Sequence, residues 1–133
     1  MRKLNQTLCY QWLQRVWNNG EREAIDELLT DDIIAHGLIP DQAMIGKEEF
    51  KIYYDNMRKE FKDVYIEVND VISQDDMESV ICTMNVTQIS TGKRVKFNGQ
   101  CLIKIRDGKM AEAWNNFDFL NMNLQLGNKL IPA

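Results

Sequence analysis

The feature that most constrains the fold is a change in hydrophobic period near Asp63. Before it, apolar residues recur every three or four positions, which is the spacing of one face of an α-helix. After it, apolar and polar residues alternate, which is typical of half-buried β-strands. Helices followed by a run of strands indicate an α+β fold in which the helices pack on one face of an antiparallel sheet.

Three helices are predicted before the change of period. The first has apolar residues every fourth position and ends at Asn18-Asn19-Gly20, and the second covers about residues 21–29. The third begins at Lys47, and its apolar face consists of Phe50, Tyr53, Tyr54, Met57 and Phe61. Between the second and third helices we predict a brief strand, residues 33–36, and an exposed loop, residues 37–46.

Four strands are predicted after the change of period, at residues 65–73, 78–89, 93–106 and 109–119. The dipeptide Asp107-Gly108 between the last two is a strong signal for a tight hairpin. Gly99 in the middle of the third strand predicts a bulge or a sharp bend. Such a sheet curls, and a curled sheet encloses a pocket.

Size and charge limit the possible functions. The 133 residues, of which 44% are hydrophobic, fit one domain that spans residues 1–133. The net charge is −4 and the basic residues are scattered, which argues against nucleic acid or an anionic membrane as a partner. No apolar stretch approaches the length of a membrane span.

The three cysteines point to a reducing compartment. Cys9, Cys82 and Cys101 form no short-spaced pair and leave one cysteine over, so neither a disulfide framework nor a zinc site is indicated. The N-terminal segment lacks the continuous apolar region of a signal peptide. We therefore expect a cytoplasmic protein without a metal.

Short segments along the chain follow one another in the order found in a known family. They are Asp31 to Gly37, Gly46 to Phe50, Thr91 to Gly99, Asp107 to Trp114, Asp118, and Gln125 to Gly127. In this order and spacing the chain resembles the SnoaL-like polyketide cyclases of the nuclear transport factor 2-like superfamily. The resemblance covers nearly the whole chain.

The resemblance implies a cone-shaped α+β barrel, with N-terminal helices packed in a strongly curved antiparallel sheet and a deep, mostly apolar pocket. It also implies that Asp118 serves as general acid and base in an intramolecular aldol closure without metal or cofactor. Homodimers are common in this superfamily, so a homodimer is expected. Because one fold supports many functions, the activity has to be argued from the site.

Asp118 is the candidate catalytic residue. It follows Trp114 and Phe117 in an apolar strand, where desolvation would raise the pKa of a carboxyl group and suit it to proton transfer. If the strand keeps a period of two, Met110, Glu112, Trp114, Asn116 and Asp118 share one face, and we expect that face to line the pocket. The alternative is that Asp118 caps a short terminal helix at residues 119–126.

Five further residues are predicted to contact a ligand: His36, Trp114, Asn116, Trp12 and Tyr54. His36 could donate a hydrogen bond at the pocket mouth, and Asn116 could bind a ligand oxygen or position Asp118. The aromatic residues could form an apolar wall, although aromatic residues at helical spacing are more often plain core.

Three functions remain open from the sequence. The first is a cofactor-free enzyme that cyclises or isomerises a small hydrophobic carbonyl compound, with Asp118 as acid and base. The second is a non-catalytic module that binds a small apolar ligand. The third is an interaction module whose curved sheet builds a homodimer, which exposed apolar residues on the outer sheet face would favour.

Overall fold

A computed structural model describes residues 3–132 of the chain. Its elements are, in order, a 3₁₀-helix (Leu4–Gln6), α1 (Leu8–Gln11), a π-helix (Trp12–Asn18), α2 (Ala24–Leu28), β1 (Leu29–Ile39), β2 (Gln42–Ile45), α3 (Lys47–Glu60), β3 (Phe61–Gln74), β4 (Met77–Gln88), β5 (Arg94–Arg106), β6 (Lys109–Phe117) and α4 (Phe119–Gln125). The predicted α+β class is confirmed. Within residues 3–132, no helix is both long and apolar enough to cross a membrane.

The first predicted helix consists of three short helices of different type. Its last part is a π-helix, which ends with a hydrogen bond from the Asn19 amide to the Gln14 carbonyl, five residues earlier. Because hydrogen bonds in a π-helix join residues five apart, Trp12 and Trp17 lie on the same side. Their rings pack on Phe50 of α3, with centroids 5.1 and 6.4 Å away.

The six strands form one sheet in the order β2-β1-β6-β5-β4-β3. The four strands predicted after Asp63 are confirmed as β3 to β6. Neighbouring strands are antiparallel except β1 and β6, which run parallel. The prediction of a loop at residues 37–46 is wrong, because β1 continues to Ile39 and forms a hairpin with β2.

A bulge in β6 changes which side chains face the helices. Met110 pairs with Ile105 while Glu112 pairs with Lys104, so Ala111 is an extra residue on β6. One extra residue moves the following side chains to the opposite face of the strand. Met110 and Ala113 are therefore both buried, at 4% and 5% exposure, although they are three residues apart.

Two glycines allow close approaches between neighbouring parts of the chain. The pairing of β5 with β4 runs through Gly99 without a shift, and the pairing of β5 with β6 ends there, so the bulge, one of the two alternatives predicted for Gly99, is wrong. A Cβ atom at Gly99 would instead overlap the ring of Phe117. Gly37 has a φ of +83°, and a Cβ atom there would overlap the backbone oxygen of Asn115, so only glycine fits where β1 meets β6.

A buried carboxylate joins the first helix to the sheet. Glu78 of β4 is 1% exposed, and its Oε1 accepts a hydrogen bond from the Cys9 amide at 2.9 Å. Because Cys9 lies in the first turn of α1, Glu78 satisfies an amide that has no partner within the helix. Cys9, Cys82 and Cys101 are buried free thiols.

Candidate functional site

A cavity of about 170 Å³ lies between the helices and the inner face of the sheet. Its wall comes from the π-helix, α3, α4 and every strand except β2. Most of the lining side chains are apolar, among them Leu13, Ile33, Phe50, Phe61, Val86 and Phe97. An apolar cavity of about 150 Å³ is large enough to hold benzene. The space therefore suits a molecule built around one aromatic ring.

Small side chains create this space. Ala35 of β1 pairs with Ala113 of β6, and both line the cavity. The parallel pair thus presents two methyl groups where larger residues would fill the interior. The bulge at Ala111 is what turns Ala113 inward.

Asn115 is the polar residue of β6 that lines the cavity. Its Nδ2 donates to the His36 carbonyl at 2.8 Å, and its Oδ1 accepts from the Cys101 thiol at 2.8 Å. The amide therefore ties β6 to both neighbouring strands. Burial raises the pKa of the Cys101 thiol to about 12, so this thiol stays protonated at neutral pH.

The cavity opens beside the C-terminal half of α3. Tyr53 and Met57 line it and are half-buried, while Glu60 lines it and is exposed. Arg58 also lines the cavity, but its guanidinium is engaged elsewhere. Its Nε donates to the Tyr54 hydroxyl at 3.2 Å, and its Nη2 donates to the carbonyls of the last residues of the π-helix.

Helix α4 covers another part of the cavity, because Phe119 and Met122 are among the lining residues. Strand β6 ends at Phe117, and Gln125 of α4 then pairs with the backbone of Lys96 on β5. Its Nε2 donates to the Lys96 carbonyl at 2.7 Å, and its Oε1 accepts from the Lys96 amide at 3.0 Å. This amide side chain continues the strand pairing and fixes α4 on the sheet.

Asp118 lies between β6 and α4 and is exposed. Its carboxylate accepts a hydrogen bond from the Asn121 amide at 3.0 Å, which is the contact of a helix N-cap. Asp118 and Asn116 line a shallow depression on the outer side of the sheet rather than the cavity. The capping contact is the alternative that the sequence left open for Asp118.

The prediction that one face of the last strand carries Met110, Glu112, Trp114, Asn116 and Asp118 into the pocket is wrong. Met110 lines the cavity, but the other four do not. Beyond the bulge at Ala111 it is the odd-numbered residues that face inward, ending with Phe117. A single extra residue reverses the faces of a strand, and the alternation of residue types does not reveal it.

His36 and Trp114 meet on the outer face of the sheet. Their rings are stacked, with centroids 5.4 Å apart and an angle of 14° between the planes. His36 Nε2 lies 2.7 Å from Glu112 Oε2. The structure thus brings together two of the residues predicted to bind a ligand, but on the side of β1 and β6 that faces away from the cavity.

The remaining two predicted residues lie on the helices. Trp12 lines the cavity, as an apolar wall residue would. Tyr54 is 3% exposed, and its hydroxyl donates to the Val16 carbonyl at 2.9 Å, so it joins α3 to the π-helix within the core.

Asn115, Phe117, Phe119 and Arg58 line the cavity without having been predicted as site residues. The helical spacing that placed Tyr53 and Met57 on the inner face of α3 was a usable signal for that wall. Nothing comparable marked Asn115, because its orientation depends on the bulge. In residues 3–132 no three His, Cys, Asp or Glu side chains converge as metal ligands.

Comparisons with known proteins place this geometry in a family. The structure of TsrD from Streptomyces laurentii is 21% identical, with a TM-score of 0.81 over 96% of this chain and 97% of that chain. A protein proposed to be a polyketide cyclase from Bacillus cereus ATCC 10987 is 26% identical, with a TM-score of 0.74 over 84% and 73%.

A protein of Catenulispora acidiphila DSM 44928 with a ketosteroid isomerase-like fold, in complex with trimethylamine, is 12% identical, with a TM-score of 0.82 over 96% and 98%. These likenesses agree with the predicted α+β cone. No curated protein sequence matches the chain. Residues 7–126 match the family model for SnoaL-like polyketide cyclases. The chain belongs to the SnoaL-like polyketide cyclase family.

Proposed function

We propose that the protein binds a small, neutral, largely apolar molecule in the cavity between its helices and its sheet. The observation that carries this proposal is the cavity itself, about 170 Å³ in volume and lined mostly by apolar side chains. Ligand sites are typically concave and apolar with a few polar groups that fix orientation. The Tyr53 hydroxyl is a polar group of that kind.

The charges around the cavity favour a neutral ligand. Among the described residues that line it, Glu60 is the only carboxylate and Arg58 the only cation. The Arg58 guanidinium donates to Val16, Trp17 and Tyr54 and lies over the rings of Trp17 and Tyr54, contacts that hold it against the π-helix. An unpaired charge is costly to bury in an apolar site.

The second candidate function is acid-base catalysis by Asp118 on such a ligand. Two observations favour it: the chain belongs to a family of cyclases, and the residues on either side of Asp118, Phe117 and Phe119, line the cavity. On this proposal the carboxylate turns from the outer depression towards the ligand and accepts a proton from the carbon next to a carbonyl group. No metal or cofactor is invoked for this step.

A homodimer is proposed as the state of assembly. On the outer face of the sheet, Ile72, Ile81 and Leu102 are 64%, 50% and 39% exposed. Leu102 pairs with Trp114 of β6, and Ser79 of β4 lies between Ile72 and Leu102 across the strands. A second copy of this chain would cover these apolar side chains.

Filling the cavity should abolish binding without unfolding the protein. We expect Ala113→Leu to raise the Kd of acetophenone, a single-ring carbonyl compound, more than tenfold, because the added side chain occupies the ligand's space. The melting temperature should stay the same or rise, since the extra methyl groups fill a void. Calorimetric titration and thermal unfolding measure the two effects.

The matched control for this variant is Ala111→Leu, which adds the same side chain at the bulge, two residues away and outside the cavity lining. It should bind acetophenone like the wild-type protein. Equal affinity in the wild-type and Ala113→Leu proteins would contradict the proposed site. Failure of acetophenone and of other single-ring compounds to bind the wild-type protein would contradict the proposed function.

Asp118→Asn separates capping from proton transfer, because asparagine is as good an N-cap as aspartate but cannot serve as a base. If Asp118 is catalytic, the wild-type protein accelerates exchange of the acetophenone methyl protons for deuterium, and Asp118→Asn loses this acceleration while keeping its stability. Asp118→Ala should lose about 1 kcal/mol of unfolding free energy with the cap. Proton NMR in heavy water measures the rate of exchange. Catalysis by Asp118 would be refuted if the wild-type protein did not accelerate exchange, or if Asp118→Asn accelerated it equally.

Sedimentation velocity tests the assembly. The wild-type protein should sediment with the mass of two chains, and Leu102→Glu should sediment as a single chain, because a buried unpaired carboxylate opposes the interface. A wild-type protein that sediments as one chain at all accessible concentrations would rule out the dimer.

A further inference from the structure

Two adjacent tyrosines on α3 differ in how their hydroxyl groups are used. The Tyr54 hydroxyl donates to the Val16 carbonyl and accepts from Arg58. Within residues 3–132, the Tyr53 hydroxyl has no hydrogen-bond partner, and Tyr53 lines the cavity. The half-buried Tyr53 hydroxyl therefore depends on water for its hydrogen bond, and an acceptor atom of a ligand can replace that water. Tyr53 therefore offers an unused polar group to whatever occupies the cavity.

The surroundings of Tyr53 keep this group a donor. Burial raises the pKa of the Tyr53 hydroxyl to about 12, and the Glu60 carboxylate nearby adds to the rise. The raised pKa means that the neutral, protonated form persists through and well above neutral pH. The neighbouring ring of Phe50, 5.9 Å away between centroids, is apolar and does not compete for the proton.

Asn115 and Arg58 use their polar groups within the protein, whereas the indole N–H groups of Trp12 and Trp17, like the Tyr53 hydroxyl, have no hydrogen-bond partner among the described residues. Asn115 uses its Nδ2 on the His36 carbonyl and its Oδ1 on the Cys101 thiol, and Arg58 is bound to the π-helix and Tyr54. Glu60 is exposed at the opening. A ligand atom that accepts a hydrogen bond thus finds an unengaged hydroxyl donor at Tyr53, beside the indole N–H groups of the π-helix, among the described residues of the wall.

We propose that Tyr53 is a specificity-determining residue of the cavity, and that its hydroxyl donates a hydrogen bond to an acceptor oxygen of the bound ligand. This inference rests on the proposed function, since it requires a ligand in the cavity. On this inference the ligand is a neutral single-ring compound with an oxygen acceptor, and the protein binds it more tightly than a hydrocarbon of the same shape. A site built around a polar contact discriminates against analogues that lack the partner atom.

The test compares two probes of matched shape, acetophenone and α-methylstyrene, in which a carbonyl oxygen is replaced by a methylene group. Their Kd values are measured by calorimetric titration for the wild-type protein, Tyr53→Phe and Tyr54→Phe. Tyr53→Phe should weaken acetophenone binding about tenfold, corresponding to roughly 1.4 kcal/mol, and change α-methylstyrene binding less than twofold. Its melting temperature should not fall, because the hydroxyl has no partner in the protein.

Tyr54→Phe is the matched control, since it removes a hydroxyl from the next residue of the same helix. It should lower the melting temperature and leave the ratio of the two Kd values as in the wild-type protein. Should Tyr54→Phe fail to fold, Tyr65→Phe, at an exposed position, replaces it. Equal effects of Tyr53→Phe on both probes, or none on acetophenone, would overturn the role of Tyr53 while the proposed function stands. Failure of both probes to bind the wild-type protein would overturn both.

Discussion

The position of β6 between β1 and β5 decides which side chains the cone turns inward. Gly37 lets β1 approach β6 closely, and the bulge at Ala111 sets the face of every residue that follows it. The Asn115 side chain then bonds to the His36 carbonyl on one side and to Cys101 on the other. This arrangement turns the methyl groups of Ala113 and its partner on β1 inward. It also turns Trp114 outward.

The interior that results is underfilled. The side chains around this space of about 170 Å³ lack the packing contacts that a filled interior would give them. A ligand that fills the space restores part of these contacts, whereas side chains enlarged by one or two carbon atoms would restore them without a ligand. The small residues at positions 35 and 113 are consistent with a site rather than with an optimised core.

Periodicity in the sequence was sufficient for α3 and for strands β3 to β6, but it missed β2 and the hairpin that β2 forms with β1. The helical face of α3, the alternation of β5 and the Asp107-Gly108 turn all lie where their patterns predicted them. The site was harder to predict from the sequence, because it depends on a one-residue shift of register in β6 that the alternation of apolar and polar residues does not reveal. The same shift explains why the inward residues are Asn115 and Phe117, while Asp118 caps α4 because that helix begins at Phe119. Tyr53 was placed on the correct face by helical spacing, but the lack of a partner for its hydroxyl emerges only in three dimensions.

The methionine methyl groups provide the most direct test of the central claim that the cavity is the ligand site. Met57, Met84, Met110 and Met122 line the cavity, whereas Met44 and Met77 do not. In a carbon-13 NMR titration with acetophenone, the four lining methyl groups should shift together and saturate with one Kd, while the methyl groups of Met44 and Met77 remain in place. Shifts of similar size at all six, or no saturable shift at the four, would contradict the account.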